Sequence, residues 1–430
     1  MPTTDRVVSI AKSVNRSSPP IYHILAGGWI YFVYGLAITA IGPTLQPIRE
    51  SFGLGLAELG LIFSFMAAGY VVASLFGSPM SDRRGRRIFI VGGTALMAAG
   101  IGAMPLAPTW PLVLAGVLFA GLGMGLFEGP LNALMADHAP EGAAKWLNLL
   151  HLFFGIGCLA GPILAGFALA SDVEWRLIHG ALAAAACTTP FPFVFMRISR
   201  PIISRAHSFA AIRKGVLHPV FLLMMAVLGL YIGFEVALSG WLPSFLELEH
   251  GFSRGLAGIS LSALWGGIIT GRMLASLFLR WISPLPLLAL SMALAGPLVL
   301  VASLIDNPAA SLAGFGLVGV FVATTFPIAL SQGVSTQKAA RGALAGFLMA
   351  ASAVGAIAFP PVVGAIAGPL GLRAAMAMTA TLCGFTAIAA LWAAVYVNRR
   401  KDEIRDLRSN IHDSVPATTV GPQTLNRSSR

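Results

Sequence analysis

Charged side chains are scarce in this chain: Asp, Glu, Lys and Arg make up 10% of its 430 residues, against 57% hydrophobic. A soluble domain carries about 25% charged residues, and a mean hydropathy of +0.81 excludes an ordinary water-soluble fold. Cysteine is nearly absent. Cys158, Cys187 and Cys383 fall inside apolar stretches and are odd in number, which argues against a disulfide set and leaves them as small packing residues. There is no His-Glu-x-x-His, no Gly-x-Ser-x-Gly and no phosphate-binding loop. Metal hydrolysis, serine chemistry and ATP hydrolysis therefore have no residues to carry them. An enzyme is not expected, no cofactor or metal is called for, and any coupled work has to draw on an ion gradient. Residues 1–20 are polar and the first apolar run is too long for a signal peptide's core, so no cleavable signal is expected.

What fills the chain is a succession of apolar runs of roughly 20 residues, the length that crosses a bilayer as helix. They fall at 21–46, 57–80, 88–107, 111–136, 145–170, 175–196, 219–245, 256–279, 285–304, 309–331, 342–366 and 373–397. The expectation is an all-α polytopic membrane protein with twelve transmembrane helices in two pseudo-symmetric six-helix bundles. Its parts would be a cytoplasmic tail (1–20), a first bundle (21–196), a central linker (197–218), a second bundle (219–397) and a largely disordered tail (398–430). The net charge of +11 is not a nucleic-acid signal. With both termini cytoplasmic, 23 of the 28 Lys and Arg fall in cytoplasmic segments. That is the bias of a multi-pass protein in a cell membrane, and a monomer surrounded by lipid is expected.

Ionisable and amide groups inside the apolar runs are costly unless a cavity wets them, and they mark transport sites. Glu128 and Asn132 lie four apart and share a helix face. Asn148 and His151 follow across a short polar turn. At 1.5 Å per residue Glu128 lies ~13 Å and His151 ~9 Å deep, so the two can face each other. In the second half Glu235 and Trp241, then Trp265 and Arg272, repeat the pattern. Depth alone, ~24 Å against ~12 Å, argues against a direct Glu235–Arg272 salt bridge without unwinding or a water bridge. Arg272 is then expected either to neutralise Glu128 across the cavity or to brace its own span against a neighbour.

The stretch Gly69-Tyr70, then Asp82-Arg83-Arg84-Gly85-Arg86-Arg87 after the second run, resembles the loop signature of the major facilitator superfamily. Ser78 stands where that family usually has glycine. The resemblance implies a transporter whose loop, through Asp82, Arg83, Gly85 and Arg86, latches the two halves in the outward-facing state. Gly123-x-Gly125-x-x-Glu128-x-x-x-Asn132 and Leu147-Asn148-Leu149-Leu150-His151-x-Phe153-Phe154-Gly155 are similar to the fucose/proton symporter branch. So, more weakly, are Tyr231-Ile232-Gly233-Phe234-Glu235, Gly271-Arg272 and Phe326-Pro327. The branch implies proton-coupled sugar uptake with the Glu128 carboxyl binding proton or substrate. Its fucose symporters also carry an acid in the first span, which this chain lacks. A second pattern, Gly157-x-x-x-Gly161-Pro162-x-x-Ala165-Gly166, resembles the fifth-span motif of proton/drug antiporters, and a Gly-Pro break is a hinge element.

The sequence thus points to a secondary transporter working by alternating access, taking up a small polar solute such as a sugar with a proton or sodium. Glu128, Asn132, Asn148, His151, Glu235, Trp241 and Arg272 are the expected solute and proton ligands, with Trp241 or the first-run aromatics stacking on the solute. Gly161 and Pro162, with the loop residues, are the expected moving parts. Drug efflux is the competing direction, and a sensor or scaffold with static polar contacts is the competing class. His23, His179 and His250 are expected to be interfacial, near span ends, and Thr324 and Thr325 to serve either as hydroxyl ligands or to satisfy their own helix backbone.

Overall fold

The computed structural model describes residues 20–138, 143–196, 198, 209–337 and 340–414. The expectations for the first nineteen residues, most of the linker and the chain end beyond 414 lie outside them. The first six helices are α1 (Ile21–Phe52), α2 (Leu56–Arg84), α3 (Arg86–Leu106), α4 (Trp110–His138), α5 (Ala143–Ala170) and α6 (Trp175–Thr188, continued by Phe191–Phe195). A short helix, Phe209–Val216, leads to α7 (Pro219–His250), α8 (Arg254–Phe278), α9 (Pro284–Leu304) and α10 (Pro308–Val322, continued by Thr325–Ser335). Helix runs on through Arg341–Met378 and Ala380–Ser414, but Gly371 breaks it with a φ of 83°. That break separates α11 (341–370) from α12 (372–414).

Among the described residues ten apolar stretches are long enough to cross a membrane, and one of them, Gly342–Arg400, spans α11 and the apolar part of α12. Adding α8, which carries Arg272, gives the twelve spans expected. Local chemistry sets their ends. Pro219, Pro284 and Pro308 occupy first helical positions, where the missing N–H costs nothing. The Asn307 side chain accepts from the Ala310 N–H at 3.0 Å, and Gly53 and Gly251 close α1 and α7 in the left-handed region.

Several ends differ from expectation. Helix α1 runs to Phe52 rather than 46, passing through Pro43 and Pro47, and α7 runs to His250 rather than 245. Helix α12 continues to Ser414, into the stretch expected to be disordered, where Arg400 and Glu403 pair one turn apart at 3.7 Å. His23 and His179 are buried rather than interfacial. His179 lies 3.0 Å from the Thr44 hydroxyl and edge-on to Trp175.

Within the first bundle α4 packs on α2 and α3, and α1 on α5; within the second, α7 packs on α11 and α8 on α10. The two bundles meet along α2–α11 and α5–α8, with a smaller α1–α7 contact. These contacts gather toward one membrane face, the one carrying the 52–56, 170–175 and 250–254 turns. There the Ser64 hydroxyl donates to the Ile357 carbonyl at 2.6 Å, and Ser262 to the Leu159 carbonyl at 2.8 Å. Arg254 on α8 pairs with Glu50 on α1 at 2.9 Å. Toward the opposite, basic face the bundles part, and Asn148, His151 and Arg272 are exposed.

Candidate functional site

A cavity of about 300 Å³ lies between the bundles, at the low end for small-molecule sites. The first bundle contributes Tyr31 and Tyr34 (α1), Tyr70 (α2), Glu128 (α4), and His151 and Phe154 (α5); the second contributes Glu235 and Ser239 (α7), Trp265 and Arg272 (α8), and Phe326 (α10). Of the seven expected ligands, four line it: Glu128, His151, Glu235 and Arg272.

Glycine spacing explains how Glu128 is placed. A side chain at Gly125 would collide with the Tyr70 backbone carbonyl, and one at Gly121 with that of Met66. With neither present, α2 lies directly against α4. Glu128, three residues on from Gly125, then meets the Tyr70 side chain, whose hydroxyl donates to its carboxyl. On the other side of the cavity the Tyr231 hydroxyl donates to the Glu235 carboxyl one helical turn away. Two carboxyls thus face a common space from opposite bundles, each held by a tyrosine.

Their electrostatics differ. The Arg272 guanidinium acts on Glu235 and on His151, whereas among the described residues no cation lies within ion-pair distance of Glu128. As expected, no direct salt bridge joins Glu235 to Arg272; the interaction is at longer range. His151 stands edge-on to Tyr31, ring centroids 5.2 Å apart. Aromatic rings form the remainder of the wall, with Tyr34 against Phe154 at 4.9 Å and Phe154 against Trp265 at 5.9 Å. The first-run aromatics Tyr31 and Tyr34 are thus part of the cavity wall.

Three expected ligands sit elsewhere. Trp241 is fully buried and its indole N–H donates to the Pro360 carbonyl at 2.9 Å, so it ties α7 to α11 rather than facing the cavity. Asn132 accepts from the Tyr31 hydroxyl at 2.7 Å and so orients a ring of the wall. Asn148 is exposed, nearer the basic face than the cavity. Thr324 and Thr325 are buried at the break in α10, outside the cavity lining. The residues that spacing alone missed are Tyr70, whose approach depends on helix packing, and Tyr231, readable only as the i−4 neighbour of Glu235.

The hinge and loop residues are also placed. Pro162 puts its carbonyl against Gly258 of α8, and Gly161 packs on Leu36 and Thr39 of α1. Gly85 turns the chain between α2 and α3 with a φ of 100°. Arg86 is buried and pairs with Asp137 of α4 at 2.5 Å and with Asp82 at 3.6 Å, while Arg83 is exposed. Among the described residues this loop makes no ion pair to the second bundle, in keeping with a structure parted at that face. No cluster of three His, Cys, Asp or Glu able to hold a metal occurs among the described residues.

Comparison with known proteins agrees with this architecture. The sodium-dependent glucose transporter 1A of Mus musculus is 23% identical over 372 residues, covering 78% of this chain and 87% of its own. The glucose/mannose transporter of Bacillus subtilis is 24% identical, with 77% and 85% covered. Among solved structures, an inward-facing, unoccupied bacterial homologue of the human lysosomal transporter Spinster superposes with a TM-score of 0.74 at 17% identity, covering 86% of this chain and 96% of that one. The E. coli fucose:proton symporter superposes at 0.60 with 18% identity, covering 86% and 98%. The family model described as Major Facilitator Superfamily matches residues 28–336, and the chain belongs to that superfamily of multi-pass membrane transporters.

Proposed function

We propose that this transporter moves a sugar across a cell membrane together with a proton, by alternating access of the cavity between its two bundles. The observation that carries the reading is the contrast between the two facing carboxyls. Glu235 shares its side of the cavity with the Arg272 guanidinium, which acts on it at longer range, whereas Glu128 has a tyrosine donor and no cation partner among the described residues. A carboxylate buried at that depth is tolerable when wetted or protonated and costly otherwise. Protonation of Glu128 removes the uncompensated charge and lets the site close; release of the proton on the other side resets it. Substrate hydroxyls would pair with Glu128, His151, Glu235 and Arg272, and the sugar's apolar face would lie on Tyr34, Phe154 or Trp265.

The separation of the bundles at the basic face, with closure at the other, supports an inward-open state in which both chain ends are cytoplasmic. The working unit is one chain. The glucose-transporting relatives support sugar as the substrate class, and the sodium dependence of one of them makes sodium the second reading for the coupling ion.

Proteoliposomes separate these readings. An inward proton gradient is expected to drive hexose accumulation that a sodium gradient does not, and Glu128→Gln is expected to abolish accumulation while sparing exchange of sugar down its gradient. Unchanged proton-driven uptake in Glu128→Gln, or accumulation driven by sodium alone, would overturn the proton assignment. Absence of uptake for every hexose, with drugs moved instead, would overturn the substrate class.

A further inference from the structure

Away from the central cavity, a cleft of about 540 Å³ opens on the basic face where α7 begins and α12 leaves the bundle. Lys214, His218 and Arg400 line it, together with Tyr396, and among the described residues no acidic side chain does. The central transport chemistry uses none of them.

The cleft is built, not incidental. Lys214 closes the short helix Phe209–Val216, which is seated on α11: a side chain on the next residue, Gly215, would lie 2.9 Å from Leu344. His218 caps α7, its Nδ1 accepting from the Val220 N–H at 3.3 Å. That bond leaves Nε2 to carry the proton and act as a donor. Arg400 lies over the Tyr396 ring at 5.8 Å, and Tyr396 stands edge-on to His218 at 6.1 Å. Burial and the Arg400 charge hold His218 below its ordinary pKa, as befits positive groups gathered in one cleft. Glu403 reaches Arg400 at 3.7 Å, but both are exposed. Such pairs are weak, and the guanidinium fork keeps further donors.

Below this ring of cations the surface is apolar. Trp392, one turn before Tyr396 on α12, is 68% exposed, and Leu217 at the cleft is 62% exposed. A ligand that suits both levels has a phosphate at the top and hydrocarbon beneath. We propose that the cleft binds the phosphate of one anionic phospholipid, its acyl chains lying along α12. A phosphate bound there bridges the linker helix, α7 and α12, and so joins the connection between bundles to the membrane surface. Basic pockets of this kind between spanning helices fit anionic headgroups.

Native mass spectrometry of the full chain purified in detergent tests this, with phosphatidylglycerol as probe and phosphatidylcholine and inorganic phosphate as comparisons. One retained phosphatidylglycerol is expected. The double variant Lys214→Gln/Arg400→Gln is expected to weaken it about thirtyfold. Lys214→Arg and Arg400→Lys, which keep the charges, should retain it, as should Arg399→Gln, which removes an exposed charge outside the cleft. Unchanged melting of the double variant in lipid-free detergent shows that the fold survives. Equal loss in Arg399→Gln, or equal retention of phosphatidylcholine, would overturn the site; displacement of the lipid by inorganic phosphate would assign the cleft to free phosphate and overturn the lipid.

Discussion

The Ser64 hydroxyl of α2 donates to the Ile357 carbonyl of α11 at 2.6 Å, across the seam between bundles. Ile357 is four residues before Pro361, which has no N–H to offer it. The first bundle thus satisfies a backbone acceptor that the second leaves open. An unpaired buried carbonyl costs about 1–3 kcal/mol, and this seam is closed only while the bundles part on the other side. Ser64→Ala is therefore expected to shift the protein away from the state described here. Longer spin-label distances across the 52–56 and 250–254 turns would report it, and unchanged distances would deny the bond a role.

Glu128 and Tyr70 form the second test. Tyr70→Phe keeps the ring and removes the donor to the carboxyl. A hydrogen bond to a charged group contributes about 1.5–3 kcal/mol, so proton-driven uptake should fall about tenfold or more. Tyr231→Phe removes the matching bond to Glu235, whose balance also rests on Arg272, and should alter substrate KM more than proton coupling. Equal effects of the two variants on the pH profile would contradict the division of roles between the carboxyls.

Gly125 against Gly92 separates packing from propensity. A Cβ at Gly125 collides with the Tyr70 carbonyl, whereas one at Gly92 has nothing within 4 Å. Overpacking typically costs about 1–3 kcal/mol, while Gly→Ala on an open helix face gains about 0.5–1 kcal/mol. Gly125→Ala should lower the melting temperature and disturb uptake by pushing Tyr70 away from Glu128. Gly92→Ala should melt at the same temperature or higher. Detergent thermal melts of the two side by side decide it.

The fold was legible because lipid imposes a coarse code: apolar runs of bilayer length, punctuated by polar loops with a charge bias. Helix ends were less legible: the first apolar run closes at 46, yet α1 continues through Pro47 to Phe52. At the site, Glu128 and Arg272 were conspicuous because charge at that depth is rare. Tyr70 was not, because nothing in its own neighbourhood shows that Gly125 brings α4 within reach. Trp241 shows the converse. An aromatic at a suitable depth reads as a stacking platform, but its direction depends on the α7–α11 contact, which turns it toward Pro360.

Trp241 accordingly carries a prediction about stability rather than transport affinity. Trp241→Phe preserves most of the buried ring and loses the bond to the Pro360 carbonyl, a net cost of about 1–3 kcal/mol when the acceptor is left unpaired. A lower melting temperature with substrate KM within about twofold of the parent is expected; a tenfold rise in KM, about 1.4 kcal/mol of binding, would return Trp241 to the solute site.

Arg254 joins three helices at the closed face, reaching Glu50 of α1 at 2.9 Å and Glu247 of α7 at 3.2 Å. Among the described residues, Arg254–Glu50 is the ion pair that crosses between bundles. It is exposed, so its contribution is about 0.2–1 kcal/mol, enough to change the ratio of two near-balanced states up to about fivefold. Arg254→Gln should increase the population open at that face, Glu50→Gln should do the same, and the exchange Arg254→Glu/Glu50→Arg should recover part of the difference. The exchange leaves Glu247 facing a new acid, so recovery is expected to be incomplete unless Glu247→Gln is added. Spin-label distances across the 52–56 and 250–254 turns measure the populations. A distribution identical in all these variants would mean that the seam is held by the Ser64 and Ser262 hydroxyls and the small-residue contacts.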